Sequence, residues 1–70
     1  MQTLVFNTTD KTVDVYSGTV GKTDLIFQFD NVPTVKVQEG YYEVMQKGDD
    51  DRSIPILRLP IQATNMRIMK

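Results

Sequence analysis

The sequence predicts an all-β protein, a small antiparallel sandwich or partly open barrel of six to seven short strands. Three observations predict this class. Apolar residues recur with period two, β-branched and aromatic residues dominate these runs, and turn signals follow one another roughly every 8–12 residues. The chain of 70 residues, 40% apolar and 24% charged, is expected to form a single β domain over residues 1–70 whose last few residues fray.

Seven short runs alternate between apolar and polar positions, and each is predicted to form one strand. No window of eleven residues carries the apolar spacing of an amphipathic helix without an interrupting residue. The apolar positions of the seven runs are, in chain order, Leu4 and Phe6; Val13 and Val15; Leu25, Phe27 and Phe29; Val35 and Val37; Tyr42 and Val44; Leu57, Leu59 and Ile61; and Met66 and Ile68.

The first two strands are predicted to form a hairpin whose loop is residues 8–11. This loop length pairs Phe6 with Val13 and Leu4 with Val15, so that apolar residues share one face of the hairpin. The first strand, residues 2–6, is expected to lie at an edge of its sheet.

The stretch SGTVGKTD, residues 17–24, is similar to the phosphate-binding loop of nucleotide hydrolases but does not fulfil its requirements. That loop needs a glycine at the position of Tyr16, and it must open a helix whose free N–H groups hold the phosphate. The residues that follow, DLIFQF, alternate like a strand instead. The stretch is therefore predicted to be a glycine-rich connection between the second and third strands.

Glu39 and Gly40 are predicted to form a two-residue hairpin loop, in which the glycine supplies the positive φ that such loops need. This register brings opposite charges together on one face and apolar residues on the other, and a slip of one residue would destroy both matches. The predicted pairs are Lys36 with Glu43, Val35 with Val44, and Val37 with Tyr42. Because Tyr41 and Tyr42 are adjacent, one is expected in the core and the other on the surface, and the sequence leaves open which is exposed.

The turn KGDDDR, residues 47–52, is predicted to link a strand that ends near Met45 to one that starts near Ile54. Its three successive aspartates are expected to form a solvated tip. A cation site is the alternative, although the ligand spacing of an EF-hand loop is absent. Pro55 and Pro60 enclose the next strand, which indicates a strand at a sheet edge or one that is broken at both ends.

Residue chemistry argues against an enzyme, a metal protein and a membrane protein. The chain has neither histidine nor cysteine, so it lacks the usual general base, thiolate ligands and disulfides. Ser17 and Ser53 have no recognisable activating base in the sequence. No apolar stretch approaches the ~20 residues that span a bilayer. We expect no enzymatic activity, no catalytic or metal-binding residues, and no cofactor.

Charge is distributed unevenly along the chain. Residues 1–51 carry nine acidic and four basic side chains, a net charge of −5, whereas the remainder carries four basic side chains and no acidic one. The arginines of this second part stand near Met66, Ile68 and Met69, and arginine with methionine is typical of protein interfaces. The alternative is that these arginines pair with acidic residues on neighbouring strands. The overall net charge of −1 disfavours binding to nucleic acid, which depends mainly on neutralising phosphates.

Three segments resemble the small transcription regulators of Xanthomonas siphophages that bind the RNA polymerase of the host. These segments are LVFNTTDKTVDV (residues 4–15), VQEGYYEVMQK (37–47) and PILRLPIQATNM (55–66). Together they cover 35 of the 70 residues, whereas KTDLIFQFDN (22–31) does not match.

The resemblance implies a non-enzymatic, phage-encoded protein that acts in the cytoplasm of the host bacterium. Such a protein binds bacterial RNA polymerase near the RNA exit channel, inhibits transcription from host promoters and lets the polymerase read through terminators as an antiterminator. Its partner would be a protein, with no membrane and no direct sequence-specific contact with nucleic acid. The oligomeric state stays open.

We predict that the partner-binding surface combines the N-terminal edge strand with basic side chains of the C-terminal part. Its predicted residues are Gln2, Leu4, Phe6, Arg52, Arg58 and Arg67. Two alternative functions remain. One is a structural β module of a phage capsid or tail, and the other is an OB-like single-stranded nucleic-acid binder that uses one exposed tyrosine with the three arginines.

Overall fold

The computed structural model describes residues 1–18 and 24–70, and within them it contains strands and one short 3₁₀ helix but no α-helix. The strands are β1 (Gln2–Asn7), β2 (Thr12–Tyr16), β3 (Leu25–Phe29), β4 (Thr34–Gln38), β5 (Tyr41–Lys47), β6 (Ser53–Pro60) and β7 (Thr64–Met69), and the 3₁₀ helix (Ile61–Ala63) lies between β6 and β7. The predicted all-β class is therefore confirmed, with seven strands in the described residues. None of the described residues belongs to a helix long and apolar enough to cross a membrane.

The described strands form two sheets, a four-stranded sheet in the order β3-β2-β1-β7 and a three-stranded sheet in the order β4-β5-β6. Four of the five pairings among the described strands are antiparallel, as expected for a small sandwich, but β7 runs parallel to β1. The connection explains this difference. The 3₁₀ helix carries the chain from the edge of one sheet to the edge of the other, so no hairpin imposes an antiparallel partner on β7.

β1 is a central strand, and the prediction of an N-terminal edge strand is wrong. It pairs with β2 on one side and with β7 on the other. Alternation within a strand indicates which residues face the core, but it does not indicate how many neighbours the strand has. The second neighbour of β1 comes from the opposite end of the chain, where no local pattern links the two.

Both predicted hairpin registers are confirmed. In the first hairpin, Phe6 pairs with Val13 and Leu4 with Val15. Asn7 shapes its loop, because the side-chain Oδ1 accepts hydrogen bonds from the N–H groups of residues 9 and 10 at 3.0 and 2.9 Å. In the second hairpin the observed pairs are Lys36 with Glu43, Val35 with Val44, and Val37 with Tyr42.

The loop of the second hairpin has a positive φ at both of its central residues. Glu39 has φ 41° and Gly40 has φ 88°, which is the signature of a type I′ turn. The prediction assigned a positive φ to the glycine alone. Glutamate adopts this left-handed conformation less readily than asparagine or glycine, so the turn carries some strain at Glu39.

The third strand contains a bulge that the alternating pattern does not indicate. Phe27 pairs with Val15 and Leu25 with Tyr16, so Ile26 is an extra residue on β3. Leu25 therefore lies opposite Tyr16, on the other face of the sheet from Phe27. The prediction that Leu25, Phe27 and Phe29 share one face is wrong for Leu25. Of the stretch similar to a phosphate-binding loop, residues 19–23 lie outside the described residues, including Gly21 and the lysine and threonine that follow it.

The core lies between the two sheets and is closed at one end by the connection from β3 to β4. Its buried apolar residues are Leu4, Phe6, Val13, Val15, Val32, Val44 and Leu59. Val32 belongs to the connection. Its N–H group donates to the Lys11 carbonyl at 2.9 Å, and the preceding carbonyl, that of Asn31, accepts from the Lys47 N–H at 2.8 Å. This connection therefore ties the first hairpin to β5, and we call this end of the sandwich the closed end.

β6 is an edge strand of the three-stranded sheet, as its prolines predicted. It runs from Ser53 to Pro60 and so includes both prolines, which makes it longer than predicted. Val44 pairs with Leu57 and Met45 with Pro55, so Ile56 is an extra residue on this edge.

Candidate protein-binding interface

The structure separates the six residues predicted to bind a partner. Leu4 and Phe6 are core residues, 0% and 8% exposed, because β1 is central and their side chains face the other sheet. Neither is available to a partner in this fold, so their prediction as contact residues is corrected. Gln2 is half-buried at the end of the sandwich that lies opposite the closed end. There its Nε2 donates to the Thr64 Oγ1 at 3.4 Å.

Arg58 lies on β6 and forms an ion pair within the three-stranded sheet. Its Nε donates to the Glu43 Oε2 at 2.7 Å, and Glu43 is only 6% exposed on the central strand β5. For this arginine the alternative interpretation from the sequence holds, namely that it pairs with an acid on a neighbouring strand. A carboxylate this buried requires a cation beside it, so Arg58 has a structural role in the sheet.

Arg52 and Arg67 remain on the surface. Arg52 follows the aspartate-rich turn, where its Nε is 3.9 Å from the Asp50 Oδ2 in a pair that is open to solvent. Such exposed pairs contribute little. Arg67 lies on β7 and is exposed, and among the described residues it forms no ion pair.

The start of β6 and the end of β7 both lie at the closed end of the sandwich. Ser53 pairs with Lys47, whose N–H donates to the β3–β4 connection, and the Met69 carbonyl accepts from the N–H of Thr8 at 2.8 Å. Because the 3₁₀ helix joins these two edge strands at the other end, the chain topology places both strands on the same side of the sandwich, and we treat their closed-end halves as one corner.

This corner combines cationic and exposed apolar side chains. Ile54, Ile68 and Met69 are 56%, 62% and 53% exposed. Ile68 pairs with Phe6 and so points to the inner face, yet the sandwich does not cover it. We call this surface the basic corner, and its residues are Arg52, Ile54, Arg67, Ile68, Met69 and Lys70. The charge asymmetry of the sequence indicates the arginines of this surface. For Ile54, the sequence predicts a position near the start of a strand but gives no sign of a contact role.

A second exposed apolar surface lies on β3, which is an edge strand of the four-stranded sheet. Leu25, Ile26 and Phe27 are 43–49% exposed, and the ring of Phe27 stacks on that of Phe29 with 6.0 Å between centroids. The strand contains no charged residue and no proline, the features that usually prevent an edge strand from pairing with another chain. We call residues Leu25–Phe29 the β3 edge.

The surroundings of the β3 edge are acidic. Asp24 and Asp30 flank the strand, and Asp14 lies on the neighbouring strand β2 opposite Gln28. A surface cavity of about 280 Å³ is lined there by Thr12, Asp14, Gln28, Phe29 and Asp30. Within the described part of the chain, the buried Oδ1 of Asp14 has no hydrogen-bond partner. An unpaired carboxylate oxygen of this kind is costly and calls for an explanation.

The aspartate-rich turn is a solvent-exposed tip, as predicted. Its three aspartates are exposed, and Lys47 Nζ lies 3.3 Å from the Asp51 Oδ1. A cavity of about 290 Å³ next to the tip is lined by Lys11, Asn31, Pro33, Lys47, Gly48, Asp49 and Asp51. In the part of the chain that the structure describes, no three acidic side chains come together to hold a metal ion.

The structure also identifies the exposed tyrosine. Tyr41 is exposed, whereas Tyr42 packs against the core on the inner face of β5. Tyr41 shares a small cavity of about 140 Å³ with Gln38, Glu39, Glu43 and Arg58. Two carboxylates line this cavity and one of them already neutralises Arg58, so the site offers little attraction to a phosphate backbone.

No protein-family model matches this chain, and neither does any curated protein or any solved structure. Within the described residues, the basic corner and the β3 edge are two surfaces that combine exposed apolar side chains with nearby charged residues.

Proposed function

We propose that this protein is a phage-encoded, non-enzymatic binder of bacterial RNA polymerase that inhibits transcription from host promoters and promotes readthrough of terminators. The observation that carries the binding role is the basic corner. The resemblance of residues 4–15, 37–47 and 55–66 to siphophage transcription regulators supports the choice of polymerase as the partner.

The composition of the basic corner suits the centre of a protein interface. Interfaces are enriched in arginine and methionine, and a few apolar anchors surrounded by polar groups supply most of the binding energy. Ile54, Ile68 and Met69 would be such anchors. Arg52, Arg67 and Lys70 would favour a partner surface that is acidic around an apolar pocket, because opposite charges steer the encounter and fix its orientation.

The corner is too small to be the entire interface. A stable complex buries about 800 Å² on each partner, so neighbouring residues of β6 and β7 would contribute the rim. The exposed ion pair between Arg52 and Asp50 does not hinder this role, since a pair in open solvent exchanges its partner at little cost.

Without catalytic chemistry, the protein would act on transcription by population shift. It would bind one conformational state of the polymerase more tightly than another and so hold the enzyme in that state. Each tenfold preference between two states corresponds to about 1.4 kcal/mol of differential binding free energy. Inhibition at promoters and readthrough at terminators would then reflect the same preferred state.

The proposal is tested by retention on purified bacterial core polymerase, together with transcription through an intrinsic terminator. Ile54→Ser removes an anchor of the corner. Val37→Ser is the matched control, because Val37 is also an exposed aliphatic residue on an edge strand of the same sheet. We expect the wild type and Val37→Ser to bind and to increase readthrough, and Ile54→Ser to bind at least about tenfold more weakly.

Two outcomes would contradict this proposal. Absence of retention of the wild-type protein would remove the polymerase as partner. Equal binding of the two variants would remove the basic corner as the contact surface. A mobility shift of single-stranded DNA that weakens steeply with salt would instead favour the nucleic-acid alternative.

A further inference from the structure

We infer that copies of this chain associate head to tail through the two edges of the four-stranded sheet, so that β7 of one copy adds to β3 of the next. This inference goes beyond the proposed function and does not depend on it. It rests on the width of the sheets, on the register of the strands and on the charges of the two edges.

The four-stranded sheet is wider than its partner by one strand, which is about 5 Å. Residues on its inner face are therefore fully covered on the central strands but not on the edge strands. Leu4 and Val15 are buried, whereas Phe27 on β3 and Ile68 on β7 are exposed although they point to the same inner face. At each edge of the four-stranded sheet, apolar side chains on the inner face therefore lie beyond the three-stranded sheet and stay uncovered.

The register of the sheet shows how one copy would continue into the next. β3 and β7 both run parallel to β1, because β3 is related to it by two antiparallel pairings and β7 by one parallel pairing. A second copy shifted sideways within the sheet keeps its inner face on the same side and places its β3 parallel to β7. The existing rows of the sheet then continue with Phe27 beside Met66, Gln28 beside Arg67, and Phe29 beside Ile68.

The charges of the two edges are complementary. Asp24 and Asp30 flank β3, whereas β7 carries Arg67 and is followed by Lys70. In the continued row, Arg67 of one copy lies beside Gln28 of the next, and Asp14 lies one strand further in. The guanidinium would thus reach the cavity lined by Asp14 and Asp30, where one carboxylate oxygen of Asp14 has no partner among the described residues.

Pairing between two identical edges is less favourable. Two β7 edges would bring Arg67 and Lys70 of both copies together, and two antiparallel β3 edges centred on Phe27 would place Asp24 opposite Asp30. The edges of the three-stranded sheet are protected, since β6 carries two prolines and β4 carries Lys36. The unlike pair of β3 and β7 is therefore the combination that the molecule favours.

The contact is expected to be weak and open-ended. The bulge at Ile26 leaves only a short regular stretch of β3, so the ladder between copies is short. A contact between two unlike surfaces does not close on itself in pairs, and it generates a ring or a chain of copies. Because β7 also contributes to the basic corner, association and partner binding would exclude each other.

Sedimentation velocity tests this inference with two blocked variants. Phe27→Lys blocks the β3 edge, and Ile68→Lys blocks the β7 edge, each at an exposed position. We expect the wild type to form larger species as its concentration rises from about 10 μM to about 1 mM, and to lose them in high salt. Each variant alone should stay monomeric, whereas a 1:1 mixture should form dimers and nothing larger, since each variant supplies the edge that the other lacks.

Several results would overturn the inference. The wild type could remain monomeric at about 1 mM in low salt. Ile68→Lys alone could form dimers, which would indicate pairing of two β3 edges, or Phe27→Lys alone could do so, which would indicate two β7 edges. Arg67→Glu changes an exposed side chain and should weaken association at least tenfold. Unchanged association of a folded Arg67→Glu protein would also overturn the inference. Ile54→Ser should assemble like the wild type, which separates this test from that of polymerase binding.

Discussion

Glu43 is a buried acidic residue, and its burial requires a cationic hydrogen-bond donor beside it. It is a carboxylate on the central strand of the three-stranded sheet, and its close partner is the guanidinium of Arg58. We expect Arg58→Ala to lower the free energy of unfolding by about 1–3 kcal/mol, because it leaves a buried charge without its hydrogen-bond donor. Urea denaturation measures this change.

The control for this prediction is Arg52→Ala, which removes an arginine from an ion pair that is open to solvent. We expect its unfolding free energy to stay within about 0.5 kcal/mol of the wild type. If the two substitutions had equal effects, the Arg58–Glu43 pair would not have the structural role that its geometry indicates.

Glu39 is the residue whose backbone conformation fits its side chain least well. Its φ is 41° in a turn that favours asparagine at this position. We expect Glu39→Asn to raise the free energy of unfolding by about 0.5–1 kcal/mol, because asparagine adopts the left-handed conformation more readily. Thermal denaturation followed by circular dichroism measures the shift.

Gly40→Ala serves as the opposite control, since alanine is strained at φ 88° although no atom lies near the position of its Cβ. It should destabilise the protein by about 1 kcal/mol or more. A lower melting temperature for Glu39→Asn than for the wild type would show that the turn is not of the type that its dihedral angles indicate.

At the scale of elements, the sequence predicts those strand pairings that depend on residues close together in the chain. Two hairpin registers follow from loop length and alternation, because both strands of each hairpin are close in sequence. The parallel pairing of β1 with β7 could not be predicted, since no local pattern connects the two ends of the chain. The bulge at Ile26 could not be predicted either, because alternation gives no sign of an extra residue.

These limits explain the outcome at the predicted partner-binding surface. The sequence predicts Leu4 and Phe6 as contact residues because it predicts an edge strand, whereas the second neighbour of β1 places both residues in the core. The charge asymmetry of the sequence indicates Arg52 and Arg67, and both side chains are exposed on strand ends or turns of the closed-end half of the molecule. The β3 edge follows from the order of the strands, which no local pattern in the sequence indicates.

The connection between β3 and β4 is an element whose role the sequence did not reveal. Val32 stands in a short loop without alternation, yet its side chain is fully buried and closes one end of the core. We expect Val32→Ala to lower the free energy of unfolding by about 2 kcal/mol, through lost burial and the cavity left behind.

Val37→Ala is the matched control, because the same change at an exposed position should cost less than about 0.5 kcal/mol. Chemical denaturation of both variants compares them directly. An equal effect at the two positions would mean that the connection does not seal the sandwich.

At the scale of the whole molecule, the uneven charge along the chain gives the two edges of the four-stranded sheet opposite charges. The four-stranded sheet has an acidic, apolar edge at β3 and a basic, apolar edge at β7, and the latter extends into the basic corner with the start of β6. These surfaces suit contacts with other macromolecules, by complementary charge around exposed apolar groups. Assembly without polymerase binding would favour a structural module of a phage particle over a transcription regulator.

Amide hydrogen exchange of the protein, free and saturated with core RNA polymerase at a concentration where the protein is monomeric, tests the central claim most directly. We expect exchange to slow at the start of β6 and in β7, where the basic corner lies, and to stay unchanged in β4 (Thr34–Gln38). Slower exchange in β4 with none in β7, or an identical pattern with and without polymerase, would contradict the claim.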